Sequence, residues 1–409
     1  MRLARFSHIG RALQQRDFRI FIVGHLLSQM GMWMQRIVAG WMAWELAHSA
    51  TWLGLMGMSD LAPTLFIGAL SGALADRMDR LTIVRVSQAF NAIFAALICL
   101  FYLESWLTIE LLFLFMVAQG IFMAISLPAR LAMIPNLIGR ENIQAAIAIN
   151  SLVSNGGRFL GPAVGGFAIV QWGSGPAFGV CALCFGIPVI TLMLLRMKKE
   201  AMERSGKRFL GDAVAGITYT AGHPGIGPMM LSLIGTSVFG KPFLSLFPGF
   251  ASEVFGRGAD GLAWLTSMVG AGALAGGIYT LQRAGIVGLT RVFILQICFI
   301  GAGLVAFSAT DMFWVAIAIC GGVGVALMTN DVTAQMLMQH AGAPNMRGRV
   351  SSLFGMVQRG GQALGSLILG VTADIIGLRW TVAVSGAICL AFWLWSLYRS
   401  KAIAKAMEM

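Results

Sequence analysis

The sequence predicts an all-α membrane protein, with about twelve transmembrane helices in two six-helix bundles and both termini in the cytoplasm. Three observations carry this. Of 409 residues, 57% are hydrophobic and only 11% charged, whereas an average soluble domain has roughly 45–50% and 25%. There are 51 glycines and the mean hydropathy is +0.79, as expected where helix backbones approach closely in lipid. The third observation is the placement of the basic residues, which fall overwhelmingly on one side of the predicted spans.

Apolar runs bounded by charge or by Gly and Pro give spans near 18–45, 52–75, 83–102, 107–127, 143–170 and 177–195. A second set follows near 228–250, 262–281, 292–308, 312–335, 350–375 and 381–397. The chain therefore reads as an N-terminal six-helix bundle over 1–195, a linker over 196–227 and a C-terminal six-helix bundle over 228–409. In the linker the polar stretch Arg196 to Arg208 precedes Phe209 to Gly222, which is too short to span and is expected to lie along the membrane surface. At about 20 residues per span, no room is left for a soluble catalytic or nucleic-acid-binding domain.

On this reading 22 of the 29 Lys and Arg lie on one side, among them Arg2, Arg5, Arg11 and Arg16 before the first span and Arg196 to Arg208 in the linker. The opposite loops hold Arg257 and Arg379. The positive-inside rule makes the basic side cytoplasmic. The formal net charge of +12 therefore reports topology and not a nucleic-acid surface. The first span is too long for a cleaved signal peptide and is expected to be retained. All six cysteines lie in apolar stretches, where packing is the expected role.

An offset of 204 residues superposes the halves: Gly157 falls on Gly361, Gly161 on Gly365, Gly166 on Gly370 and Gly72 on Gly276. Several small-residue matches at one offset indicate an internal duplication.

After the second predicted span comes Gly72-Ala-Leu-Ala-Asp76-Arg77-Met-Asp79-Arg80. It resembles the cytoplasmic gating motif of the major facilitator superfamily, G-x-L-x-D-R-x-G-R, with Asp79 in place of the last glycine. The resemblance implies a gate in which Gly72 permits close helix contact, Asp76 faces a helix N-terminus, and Arg77 and Arg80 pair with acids. The fifth span contains Gly157-Arg158-Phe-Leu-Gly161-Pro162-Ala-Val-Gly165-Gly166, which resembles the family's antiporter signature, G-x-x-x-G-P-x-x-G-G. This implies export in exchange for protons. Glycines four apart also make a flat packing strip, which needs no transport direction. The fourth-span pattern of the family is incomplete, because Gln119-Gly120 is present without its upstream arginine. Met32 to Arg36, Ser126 to Arg130 and Met346 to Ser352 resemble the exporter subgroup that includes bacterial enterobactin and drug exporters.

Within the apolar runs lie the acids Asp60 and Asp331 and the bases Arg36, Arg158, Lys241 and Arg359. A charge at the bilayer centre costs at least about 2.5–3.5 kcal/mol, so each is expected to face an interior of protein or water, lining a substrate or proton cavity. Arg36 and Asp60 are equidistant from the tip of the first predicted hairpin near His48, which places them at equal depth. An exchangeable Arg36–Asp60 contact could couple a proton to transport, and a static pair would simply brace the hairpin. The excess of interior bases points to an anionic substrate such as a catecholate or carboxylate. Trp33 could stack on an aromatic substrate, and Met30 and Met34, one turn apart, are expected to pack.

No histidine spacing suits a metal, no Gly-Lys-Ser/Thr phosphate loop occurs, and no cofactor is implied, so an enzyme is not expected. The expected function is secondary active export of a small siderophore-like or drug-like molecule across the cell inner membrane, by a monomer, with protons as coupling ion. A lipid or lysophospholipid translocator of the same fold is the alternative. Asp60→Asn separates the two roles of that acid. Transport measured in cells beside the amount of folded protein in the membrane should show transport lost with folded protein retained for coupling, and folded protein lost for a brace.

Overall fold

The computed structural model describes residues 14–59, 61–64, 67, 78–138, 143–195, 209–283, 285–344 and 346–408. Among these residues every regular element is helical: α1 Arg16–Ala47, α2 Ala50–Ser59, α3 Arg80–Leu103, α4 Ile109–Leu137, α5 Ile143–Trp172, α6 Ser174–Met193 and α7 Phe209–Gly222. There follow α8 Ile226–Gly235, α9 Gly258–Gln282, α10 Leu289–Ala309, α11 Phe313–Ala341, α12 Arg347–Ile376, α13 Leu378–Tyr398 and α14 Ser400–Met407. Eight helical stretches among the described residues are long and apolar enough to cross a membrane. Their apolar faces are not all internal: Leu114, Leu183, Ile190 and Phe299 are each more than half exposed, as expected where the solvent is lipid. The long helices α1, α5 and α12 lie outside those eight, and they carry Arg36, Arg158 and Arg359.

Most predicted runs fall on helices, with informative differences at the ends. The fourth run, expected to stop at 127, continues as α4 to Leu137 through Pro128 and Pro135. Of the second run, α2 is described to Ser59. Asp60, Gly72, Asp76 and Arg77 lie outside the described residues.

The chain divides into two compact units, Met1–Leu46 with Phe66–Ser205, and Ala47–Leu65 with Gly206–Met409. In the first unit α3 packs against α4 and α6. Phe90 of α3 stacks on Phe122 of α4 with ring centroids 4.3 Å apart. The ends of five helices meet in a core that includes Phe18, Phe21, Val84, Met133, Ala146 and Leu192. Two polar devices close this end. Asp79 caps α3, its carboxylate accepting the Thr82 amide at 2.9 Å and the Thr82 hydroxyl at 2.7 Å. The residue that departs from the gating pattern is thus a helix cap, which a glycine would supply less well. Arg85 donates through Nε and Nη2 to the Leu192 carbonyl at 3.1 and 2.7 Å, placing a cation at the C-terminus of α6.

In the second unit close helix crossings rest on small residues. A methyl built on Gly276 would lie 2.6 Å from the Val325 carbonyl, and one on Gly301 would lie 2.9 Å from the Gly386 carbonyl. These set the α9–α11 and α10–α13 pairs. Helix α2 lies along α12, where a methyl on Gly370 would lie 2.5 Å from the Ala50 carbonyl. The Asp374 carboxylate then caps α2, accepting from the amides of Ala50 and Thr51 at 2.7 and 2.9 Å and from the Ser49 hydroxyl at 2.7 Å.

The C-terminal α14 seats Ile403 and Met407 in a core with Ile226, Met229, Leu289 and Phe293. Just beyond it, Glu408 accepts the amides of Gly288 and Thr290 at 2.6 and 2.7 Å, at the N-terminus of α10. Burial pushes this carboxyl up, but the Gly288 and Thr290 amides, the Thr290 hydroxyl and the Arg283 charge outweigh it and hold it below 4.5. Glu408→Gln is expected to cost up to about 1 kcal/mol, as suits a partly exposed carboxylate. Its contribution is complete above about pH 4.5 and fades as pH falls through the lower folded value. Thermal unfolding in detergent should show a lower midpoint for the variant at neutral pH and no difference in acid.

Candidate functional site

Two polar constellations stand inside the helices, one in each unit, and each is assembled by tight backbone contact. In the first, Trp33 and Arg36 lie three residues apart on α1 and so share a face. The Arg36 guanidinium lies 4.5 Å from the Trp33 ring centroid, and the Arg158 guanidinium, from α5, lies 4.7 Å from the same ring. Both are within cation–π range, where the ring quadrupole offsets part of the cost of removing a cation from water. The proximity is set by the glycine strip. A methyl on Gly157 would lie 2.7 Å from Gln29 Cβ, one on Gly161 2.7 Å from Trp33 Cβ, and one on Gly165 3.1 Å from Met34 Cγ. Only a strip without side chains lets α5 approach α1 closely enough to bring Arg158 to Trp33. Pro162 lies inside α5, and it and Gly166 are buried.

Behind this pair is a neutral amide cluster. Gln35 Nε2 donates to Gln119 Oε1 at 2.6 Å, and Gln119 Nε2 donates to the Asn91 carbonyl at 2.9 Å. Gln119 of the incomplete fourth-span pattern therefore braces α4 against α1 and α3. Met34, 1% exposed, is packed against Gly165 as expected.

In the second unit the span Ile226–Val254 is not one regular helix. After α8 it runs through a π-helical turn Thr236–Gly240, a 3-10 stretch Pro242–Leu246, the turn Phe247–Gly249 and a second π-helical turn Phe250–Val254. Pro242 and Pro248 lack the amide hydrogen an α-helix needs, and such breaks are tolerated in a membrane where other groups re-satisfy the backbone. Lys241 sits at the break. Its ammonium donates to both oxygens of Asp331 on α11, each at 2.8 Å, and also to Gln358 Oε1 on α12. Gln358 Nε2 donates to Asp331 Oδ1 at 2.7 Å, and the Ser237 hydroxyl donates to Gln358 Oε1 at 3.0 Å. This is a three-element network in which a buried charge is both paired and hydrogen-bonded, the condition under which one persists in a low dielectric. The glycine strip recurs here: a methyl on Gly361 would lie 2.7 Å from Ser237 Cβ, and one on Gly365 2.6 Å from Pro242 Cγ.

The predicted residues are thus sorted. Arg36 and Arg158 meet at Trp33, and Lys241 and Asp331 form an ion pair. Arg359 follows Gln358 on α12 with its side chain exposed, and Arg80 opens α3. Asp60, expected opposite Arg36, and the gate residues Gly72, Asp76 and Arg77 lie outside the described residues. Ser237 and Gln358 escaped the sequence reading, and Gln35 and Gln119 entered it only through resemblance and not as partners. Uncharged amides within apolar runs were the available signal, since they too cannot be left unpaired in lipid.

Long apolar helices packed through glycine strips, with charges paired among them, mark a multi-pass membrane protein. The comparisons agree. A family model described as "Transmembrane secretion effector" matches residues 11–407. The staphyloferrin A transporter of Staphylococcus aureus is 23% identical over 377 residues, covering 91% of this chain and 94% of the relative. The enterobactin exporter EntS of Salmonella typhimurium is 24% identical over 373 residues, covering 90% and 88%. The fold is shared with a bacterial homolog of the human lysosomal transporter Spinster, at TM-score 0.74, 16% identity and 98% coverage of both chains. It is shared equally with the nucleoside transporter NupG, at TM-score 0.75, 13% identity and coverage of 94% and 98%. The chain belongs to the transmembrane secretion effector family of the major facilitator superfamily. It is a secondary transporter of small molecules and not an enzyme.

The strip is directly testable. Gly161→Ala is expected to cost about 1–3 kcal/mol by overpacking against α1, and Gly156→Ala, which meets nothing within 4 Å, should be neutral or slightly stabilising. Thermal midpoints of the two purified variants in detergent read the contrast.

Proposed function

We propose that this protein exports a small, acidic, siderophore-like or drug-like molecule across the cell inner membrane by alternating access, in exchange for protons. The observation that carries the reading is similarity over about nine-tenths of the chain to a staphyloferrin A transporter and to an enterobactin exporter. The basic interior supports it. Arg36 and Arg158 with Trp33 offer an aromatic face flanked by two guanidinium groups, a surface suited to a planar anion. Lys241 and Asp331 offer an exchangeable ion pair in the other unit. The working arrangement is a monomer of twelve spans in two six-helix bundles, with both termini cytoplasmic in accord with the charge asymmetry. Gly72, Asp76, Arg77 and Arg80 act as the cytoplasmic gate. Asp60 and Asp331 carry the protons, and Arg36, Arg158, Lys241 and Arg359 face the substrate. The strip Gly157, Gly161, Pro162, Gly165 and Gly166 holds the first constellation in register.

The test is substrate-dependent proton movement in proteoliposomes, screened with siderophores, drugs and lysolipids for wild type and Asp60→Asn. Proton flux with an acidic siderophore or drug, abolished in the variant, is the expected result. A transported substrate that moves without any response to a pH gradient overturns proton exchange.

A further inference from the structure

We propose that Asp331 is a built-in counter-ion occupying an anion socket formed by Lys241, Gln358 and Ser237, and that a carboxylate of the transported molecule replaces it there. The geometry is that of a bound ligand and not only of a brace. Both oxygens of Asp331 lie 2.8 Å from the Lys241 ammonium, and one also accepts the Gln358 amide at 2.7 Å. The donors are oriented from behind. Gln358 Oε1 accepts from both Lys241 and the Ser237 hydroxyl, so the amide cannot turn over without losing them, and its N–H groups stay directed at the anion position. The orientation of the Gln358 amide therefore does not depend on Asp331.

Exposure is unequal in the sense the proposal requires. The Lys241 side chain is 11% exposed and that of Asp331 31%, so the carboxylate lies on the open side of the ammonium. An exchangeable carboxylate has to be reachable from outside the pair, and Asp331 is the more exposed partner. Replacement of one carboxylate by another also leaves the local charge unchanged, so the ammonium is never stranded in a low dielectric, where an unpaired charge is severely destabilising. The position at the broken segment, beside the π-helical turn and Pro242, fits the use of irregular membrane backbone at substrate sites. The ligand class is an organic acid presenting at least one free carboxylate. Assigning that acid as cargo rests on the transport reading above, but the socket itself does not.

Binding of citrate, a generic tricarboxylate, and of its neutral trimethyl ester to the purified full-length protein in detergent tests this, by calorimetry and by thermal shift. Citrate is expected to bind Asp331→Asn about tenfold more tightly than wild type, because the socket no longer has to be vacated first. The ester should bind neither. Lys241→Gln/Asp331→Asn, a neutral pair, should fold and bind no citrate. Should Asp331→Asn fail to fold, Asp331→Ser carries the same expectation. The proposal is overturned if citrate binds the single variant no more tightly than wild type, or binds the neutral pair equally well. It is also overturned if both single variants are unfolded while the neutral pair is folded, since the ion pair is then a brace. Tight citrate binding beside silent proton movement would sink proton exchange and leave the socket standing.

Discussion

A charge placed among hydrocarbon tails has to be solvated by the protein itself, and this constraint organises the chain. With only 11% of residues charged, Lys241, Asp331, Arg36 and Arg158 stand out among the described residues, and each is engaged by specific groups. Lys241 is solvated by a carboxylate and an amide oxygen, and Arg36 and Arg158 by an indole face. The two solutions differ in kind. An ion pair neutralises its members and is exchangeable for another ion, whereas an indole lowers the cost of a cation without cancelling it. Trp33 is thus shared by two cations in the first unit, and Asp331 neutralises one in the second.

Solvation by protein works only if helices come close enough for short side chains to reach, and small residues supply that approach. The same device serves both units. Gly157 and Gly161 bring α5 onto α1, and Gly361 and Gly365 bring α12 onto the segment around Ser237 and Pro242. In each case the residue pressed by the glycine, Trp33 or Ser237, is itself part of the constellation. The motif that resembles an antiporter signature thus has a concrete mechanical role, to place the partner helix's functional face.

Much of the helical layout was legible because long apolar runs admit little else in lipid. The ends were less so. Pro128 bounds the fourth predicted run, yet α4 passes through it and through Pro135, because a membrane helix can lose a backbone bond that its neighbours help to replace. Charged site residues were conspicuous against their surroundings, and Lys241 and Asp331 were found from them alone. Their being partners was not legible, since 90 residues separate them and no local spacing relates them. Gln358 was missed because its neighbour Arg359 drew attention on charge, although the amide is the residue turned into the network. The irregular backbone around Lys241 was announced only by Gly240 and Pro242, a pair that elsewhere in the chain marks nothing of the kind.

Helix α2 follows α1 in sequence but belongs with Gly206–Met409 in space, its N-terminus held by Asp374 and its glycine face laid along α12. The boundary expected from the sequence, in the linker, and the boundaries of the compact units therefore run through different residues. A polypeptide cut in the linker would yield a first fragment carrying a helix whose docking groove is on the other piece, and a second fragment with an empty groove. Neither fragment would hold all of the contacts that seat this helix, although each would keep its own constellation. The boundary between the predicted bundles is therefore not the boundary between the compact units.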